Sequence, residues 1–122
     1  MPLLTLRDGP KLNVCAYAPD GQSLPQVVLW IQGLHDRHRK TFLNLIERTA
    51  DHGQILNDQK SRELGEGIFE FKSHHGAGER LAYFYLPGGQ AVLSHGFPKG
   101  APVAPQITRA AELRARVRQE LQ

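Results

Sequence analysis

The chain of 122 residues has little cysteine, little net charge and no long apolar run. Its single cysteine, Cys15, excludes an internal disulfide and a zinc site made of several cysteines, and it fits a reducing compartment. The 15 Lys and Arg against 12 Asp and Glu leave a net charge of +3, which permits an anionic partner without requiring one.

No apolar run approaches the roughly 20 residues that a membrane span requires. The N-terminal residues make a poor signal peptide, because Arg7, Asp8, Gly9 and Pro10 interrupt them. We therefore expect a soluble, cytoplasmic protein with no membrane partner. The length predicts one domain over residues 1 to 122, in which residues 1 to 11 are expected to be loose.

The first half of the chain predicts one strand and two helices. Residues 13 to 18 favour a strand, which a turn closes at Pro19, Asp20 and Gly21. Ser23 is expected to cap a helix over residues 24 to 34. Asp36 is expected to cap a second helix, which ends at Gly53. The polar residues 54 to 66 are predicted to form a loop or a short irregular link.

The second half predicts three strands, at residues 67 to 73, 79 to 86 and 90 to 95, followed by a turn at Gly96. Connections this short do not allow parallel crossovers, so the strands form an antiparallel meander. A last helix is expected from about Gln106. The order indicates a small α+β domain in which the first strand and the meander form a curved antiparallel sheet. Two N-terminal helices pack on one face, and the C-terminal helix follows.

Side-chain alternation predicts a cluster of charged groups on this sheet. Glu70, Lys72 and Arg80 share one face, and His95 and Lys99 arrive at its rim. Strict alternation puts His95 on the side of its apolar neighbours unless a bulge interrupts the strand. The cluster indicates an anion site with a titratable group beside it.

Such a cluster matches the needs of RNA cleavage through the 2′-hydroxyl. One group removes the 2′ proton, another protonates the leaving 5′ oxygen, and cations stabilise the charge on the phosphorus centre. Histidine serves as acid or base, Arg80 and Lys99 supply charge, and an exposed Tyr83 or Tyr85 is able to stack on a base.

Each of these residues also has a purely structural interpretation. His95 at a strand end is often a hydrogen-bonded structural residue, Arg80 and Glu70 form an ordinary cross-strand ion pair, and Tyr83 is a core residue. The basic cluster with Arg37 and Lys40 on the second helix is either a solvated face or a contact surface for phosphate or an acidic partner.

A metal site has little support in the sequence. Four histidines are candidates, namely His35, His38, His74 and His75. No recognisable ligand spacing joins them to a carboxylate, so we expect neither a metal nor another cofactor.

The second half of the chain resembles the RelE/ParE superfamily of bacterial toxins, most closely its HigB-like, phage-associated branch. That branch has an "lwElR" strand, a "yRvfY" strand, a strand ending in "LhgFxKK", and then "tP..ei..A" at the start of a helix. The matching segments here are IFEFK at 68 to 72, RLAY at 80 to 83, LSHGFPK at 93 to 99 and PQITRA at 105 to 110. Residues 16 to 34 are similar to the first strand, turn and helix of the family, and the whole resemblance runs from roughly residue 12 to 121.

The resemblance implies a ribosome-dependent messenger RNA endonuclease that a cognate antitoxin of the helix-turn-helix type neutralises. It implies catalytic roles for Arg80, His95, Lys99 and Lys72. The residue patterns described above add Tyr83, Glu70, Arg37 and Lys40 as RNA-binding candidates. The implied partners are the antitoxin, the ribosome and messenger RNA.

The chain departs from the family pattern at two positions. Lys72 stands where an arginine is usual, which keeps the charge and loses a bidentate fork, and Gly100 replaces a second lysine. Two other functions remain open: a ParE-like toxin that inhibits DNA gyrase by binding, or a non-toxic phage or prophage protein that keeps only the fold and its partner surface.

Overall fold

The computed structural model describes residues 2 to 19 and 23 to 122. The elements are β1 Leu3–Asp8, β2 Asn13–Tyr17, α1 Gln26–Gln32, α2 Asp36–His52, β3 Ser61–Gly65, β4 Ile68–Ser73, β5 Glu79–Leu86, β6 Gln90–Pro98 and α3 Val103–Glu120. The predicted α+β class is confirmed. Asp20 and Gly21 of the predicted turn lie outside the described residues.

The strands form one six-stranded sheet in the order β1-β2-β6-β5-β4-β3. The predicted meander of β4, β5 and β6 is antiparallel, but β2 pairs with β6 in parallel, so the sheet is mixed rather than wholly antiparallel. The long connection from β2 to β6 contains both N-terminal helices and allows this parallel pairing.

Two of the predicted irregular segments are strands instead. β1 pairs with β2 from Leu3↔Tyr17 to Asp8↔Asn13, so the expectation of loose N-terminal residues is wrong for that range. A register shift between Thr5 and Arg7 breaks the alternation in β1 and hides its strand pattern. β3 lies in the predicted link of residues 54 to 66; as an edge strand with an exposed Arg62, it lacks an apolar pattern.

The N-terminal helices begin at other residues than predicted. Pro25, not Ser23, is the N-cap of α1. The N-cap of α2 is His35 rather than Asp36, and its ring accepts a hydrogen bond of 3.3 Å from the backbone N–H of Arg37. α2 ends at Gly53 as predicted.

The last strand and the last helix are longer than predicted. β6 continues to Pro98, so Gly96 lies inside a strand and not in a turn. α3 begins at Val103, after an N-cap at Pro102, and includes Gln106. No helix in residues 2 to 19 and 23 to 122 is both long and apolar enough to cross a membrane.

Helices cover both faces of the sheet. α1 and α2 pack on the first face; the buried residues of this core are Val14, Ala16, Val27, Ile31, Phe42, Leu45, Ile46, Ala50, Phe71, Leu81, Tyr83, Ala91 and Leu93. α3 packs on the second face; the buried residues there are Cys15, Ile68, Phe84, Leu86, Val92, Ala110 and Val117. The second core does not include the charged end of that face, where Phe97 is buried beside His95.

Candidate active site on the second face of the sheet

A β-bulge in β6 decides which face His95 occupies. Ala82 pairs with His95 and Tyr83 with Leu93, so Ser94 has no partner in β5. The extra residue reverses the alternation after Leu93, and His95 turns to the second face. Strict alternation would have placed it in the first core, beside Ala91 and Leu93.

The strand register aligns the charged residues in two rows across the second face. Glu70, Ala82 and His95 form one row, which Arg62 extends onto β3. Lys72, Arg80 and Phe97 form the next row. His95 and Arg80 are therefore diagonal neighbours, which places their Cβ atoms within about 7–8 Å. The structure thus brings Glu70, Lys72, Arg80 and His95 together.

Three cations surround one buried carboxylate in these rows. The Arg62 Nε atom lies 2.7 Å from Glu70 Oε2, and the Arg80 Nε atom lies 3.7 Å from Glu70 Oε1. The ammonium of Lys72 donates a 2.7 Å hydrogen bond to the carbonyl of Asp58. Partial burial lowers the pKa of Lys72, and the charges of Arg62 and Arg80 lower it further, while the carboxylates of Glu70 and Asp58 oppose this effect. The three cations outnumber the carboxylates of Glu70 and Asp58, so this face attracts anions.

Arg80 is held by the fold as well as by Glu70. Its side chain is 9 % exposed, and its guanidinium donates to the carbonyls of Glu79 at 3.0 Å and Ser73 at 3.4 Å. The ordinary cross-strand ion pair that the sequence left open is therefore present in part. These contacts fix the orientation of the guanidinium.

Both ring nitrogens of His95 have partners. Nε2 lies 2.8 Å from Gln106 Oε1 on α3, and Nδ1 lies 2.8 Å from the hydroxyl of Ser94. Because the amide oxygen only accepts, Nε2 carries the proton and Nδ1 accepts from Ser94. Burial lowers the pKa of His95; the bond to Gln106 opposes this effect and the charge of Arg109 adds to it. His95 is therefore neutral at pH 7.

This lowered pKa predicts a specific pH dependence of stability. The unfolded chain binds a proton at His95 near pH 6.5, whereas the folded protein binds it only at lower pH. The free energy of unfolding should fall as the pH drops from about 6.5 to the folded pKa, by at most about 1.4 kcal/mol per pH unit. Urea unfolding across this range should show a weaker fall in His95→Gln and an unchanged one in the exposed control His52→Gln. An equal fall of the unfolding free energy with pH in wild type and in His95→Gln would contradict this prediction.

Lys99 lies just beyond β6 and is exposed. Its backbone N–H donates to the carbonyl of Gly78 at 3.2 Å, which anchors the segment to the start of β5. No described carboxylate forms a salt bridge with Lys99. Its ammonium is thus available at the rim, next to the row of Lys72 and Arg80.

Tyr83 does not belong to this site. It faces the first core with 0 % exposure, stacks on Phe71 with ring centroids 4.0 Å apart, and contacts the Ser61 hydroxyl at 2.5 Å. The expectation of an exposed Tyr83 that stacks on a base is wrong, because Tyr83 pairs with the residue before the bulge and so points away from His95.

Arg37 and Lys40 also lie away from the charged rows. Both are exposed on α2, which covers the first face of the sheet. The structure separates them from His95 and Arg80 by the thickness of the sheet. Their predicted contact with RNA would require a second surface.

Two of the four histidines considered as metal ligands do meet. The rings of His38 and His75 are in edge contact with centroids 5.9 Å apart. His38 Nδ1 is 2.7 Å from the Ser73 hydroxyl, and His75 Nε2 is 3.2 Å from that of Thr41. Within the described parts of the chain, no group of three or more His, Cys, Asp or Glu is placed to hold a metal ion.

The sequence interpretation missed three residues of the site. Arg62 lies in a strand that its polar pattern concealed, and Ser94 is the bulged residue. Gln106 reaches His95 from α3, which packs on this face. For these three residues, the sequence contained one signal: Ser94 directly precedes His95 in the chain.

A family model describes most of the chain. The model "Phage derived protein Gp49-like (DUF891)" matches residues 29 to 118. The chain belongs to this Gp49-like family. No curated protein and no solved structure shows a significant match to the chain.

The Gp49-like match covers the elements from α1 to α3 except the first three residues of α1 and the last two of α3, and it includes all residues of the two charged rows. This family is associated with RelE-like toxin–antitoxin systems. The match itself names no reaction and no specific RelE or HigB relative.

Proposed function

We propose that this Gp49-like protein is the toxin of a type II toxin–antitoxin system and cleaves messenger RNA on the ribosome. The observation that carries the proposal is the cluster of Arg62, Lys72 and Arg80 near the buried Glu70 carboxylate, diagonal to a neutral histidine. This arrangement supplies an anion site and a proton acceptor on one face, as phosphodiester cleavage requires.

The reaction would begin with removal of the 2′-hydroxyl proton. His95 is 4 % exposed, and its acceptor nitrogen is bonded to the half-buried hydroxyl of Ser94. Ser94 takes the proton from the 2′-hydroxyl while its own proton passes to Nδ1 of His95. The 2′ oxygen attacks phosphorus, the bond to the 5′ oxygen breaks, and a 2′,3′-cyclic phosphate forms.

The cations have separate tasks in this scheme. Arg80, with its guanidinium fixed by Glu70 and two carbonyls, stabilises the extra negative charge on the phosphorus centre. Lys72 donates a proton to the leaving 5′ oxygen, because its lowered pKa makes it a stronger acid than an ordinary lysine. Lys99, exposed at the rim, holds the phosphate of the substrate.

The partner in this proposal is a cognate antitoxin of the helix-turn-helix type. A cleft of about 390 Å³ between α1, α2 and β1 has an apolar lining that includes Val28, Ile31 and Leu43, with Arg7 and Arg39 beside them. Leu43 is 50 % exposed there. Both arginines are already paired with carboxylates of this chain, so a partner segment with an apolar helix face would cover the exposed apolar side chains.

Inducible expression tests the function. Wild type should arrest growth and create new 5′ ends in translated transcripts. Lys99→Ala, which removes an exposed side chain, should lower the cutting by about 10²-fold, the usual effect of losing one charge-stabilising group. Arg80→Ala should abolish it, with circular dichroism to establish that the variant is folded. Lys40→Ala, an exposed change on the other face, should leave the cutting intact.

Three outcomes would contradict the proposal. Arrest without new 5′ ends, with altered supercoiling, would favour a gyrase-binding toxin. Absence of arrest with a folded protein would favour a phage protein that keeps only its fold. Loss of cutting in Lys40→Ala, but not in Lys99→Ala, would place the site on α2.

A further inference from the structure

A second cleft adjoins the charged rows and shares only Ser94 with the scheme above. It has a volume of about 380 Å³ and lies where β2 ends, between the start of α1 and the middle of α3. Its size is that of a small-molecule site. Tyr17, Leu93, Ser94, Arg109, Leu113 and Arg116 are among its lining residues.

The cleft combines an apolar wall with two cations. Leu93 and Leu113 supply the wall and Tyr17 an aromatic ring, whose hydroxyl is held by the Glu120 carboxylate at 2.8 and 2.9 Å. Arg109 and Arg116 are seven residues apart on α3, so two helical turns bring them to the same side of the helix.

The two arginines of this cleft have no salt-bridge partner among the described residues. Among the described lining residues Glu112 is acidic, and the Glu120 carboxylate lies at the Tyr17 hydroxyl near Arg116. Because neither carboxylate forms a salt bridge with Arg109 or Arg116, both guanidinium groups remain open to an anion beside the apolar wall.

The cleft is continuous with His95. Ser94 lines it and shares a 2.8 Å hydrogen bond with the imidazole, and the charge of Arg109 is near enough to lower the pKa of His95. A ligand that fills the cleft thus lies next to the group to which the proposed function assigns the 2′ proton.

We propose that this cleft binds one nucleotide of single-stranded RNA, with its base against the Tyr17 and Leu113 wall and its phosphate on Arg109 and Arg116. Guanidinium groups bind phosphate through paired hydrogen bonds, and aromatic and apolar side chains contact bases. The position of Ser94 makes this nucleotide the neighbour of the scissile phosphate. The placement next to the scissile phosphate rests on the proposed function, whereas the binding of a nucleotide in the cleft does not.

Titration of the purified protein with each nucleoside 3′-monophosphate, followed by amide NMR shifts, tests the inference. At least one nucleotide should shift the amides of Tyr17, Ser94 and Leu113. The double variant Arg109→Gln, Arg116→Gln should bind at least about tenfold more weakly, because two charge-assisted contacts are lost. Arg118→Gln, an exposed arginine of the same helix outside the cleft, should bind as wild type does.

Several results would overturn the inference. Inorganic phosphate that binds as tightly as every nucleotide would leave only an anion site. Shifts caused by an acidic peptide, but by no nucleotide, would make the cleft a protein-docking surface. Unchanged nucleotide affinity in the double variant would place the nucleotide elsewhere.

The same measurements separate this inference from the proposed function. Nucleotide binding at these amides in a protein that cuts no RNA would refute the cleavage and support the cleft. Cutting that depends on Lys99, but with no nucleotide shift at these amides, would refute the cleft and support the cleavage.

Discussion

Replacing Glu70 by alanine is expected to lower the free energy of unfolding by about 3–5 kcal/mol, the usual cost of removing one partner of a buried ion pair. The Glu70 side chain is 3 % exposed and stands between Arg62 and Arg80. Without it, the Arg80 guanidinium stays buried near Lys72 with no opposite charge beside it. Urea or thermal unfolding measures the loss.

A matched control comes from an exposed pair of the same chemistry. Glu47 lies 3.8 Å from Arg7, with side chains 59 % and 46 % exposed. Glu47→Ala should cost less than about 1 kcal/mol, because water replaces the lost contact. A loss of the same small size in Glu70→Ala would show that water reaches the Arg80 guanidinium. The orientation that we assign to it in catalysis would then be wrong.

Gly96→Ala is expected to destabilise the protein by about 3 kcal/mol through overpacking. A Cβ atom at Gly96 would lie 2.1 Å from Cε2 and Cζ2 of Trp30, so the indole has to move. That ring also packs on Phe42, with centroids 5.8 Å apart. Its displacement loosens α1 from β6.

The only tryptophan of the chain reports this change directly. The emission of Trp30 should shift to longer wavelength in Gly96→Ala, together with the fall in unfolding free energy. Gly33→Ala is the control, because its Cβ would meet only ordinary contacts, the nearest at 3.5 Å from the Leu29 carbonyl. Trp30→Leu should restore part of the stability of Gly96→Ala. Failure of that rescue would mean that the strain lies in β6 itself.

Much of the fold follows from local patterns. Closely spaced β-favouring runs predicted β4, β5 and β6, with β5 at its observed bounds of Glu79 and Leu86, and Gly53 marked the end of α2. Two edge strands, β1 and β3, escaped prediction, because a register shift or an exposed polar sequence removes the alternation that identifies a strand. Both are stabilised by pairing with β2 and β4, a contact between segments that no local pattern contains.

The candidate site shows the same division between local pattern and tertiary contact. Alternation along single strands was sufficient to place Glu70 and Lys72 on one face of β4, and Arg80 beside them on β5. It was not sufficient for His95, because one unpaired residue, Ser94, turns the imidazole to the other face. Gln106 contacts His95 only because α3 packs on that face. The bulge that turns His95 to the second face also leaves Tyr83 in the core of the first face.

Residue types and their spacing along the chain therefore determined the fold class, the antiparallel meander and the charged character of one sheet face. The tertiary structure decided which groups touch: the pairing of Arg62 with Glu70, the enclosure of His95 by Ser94 and Gln106, and the contact of Trp30 with Gly96. The physical reason is that alternation and turn preferences act between neighbours in the chain. Register, bulges and helix docking depend instead on the packing of segments far apart in the chain.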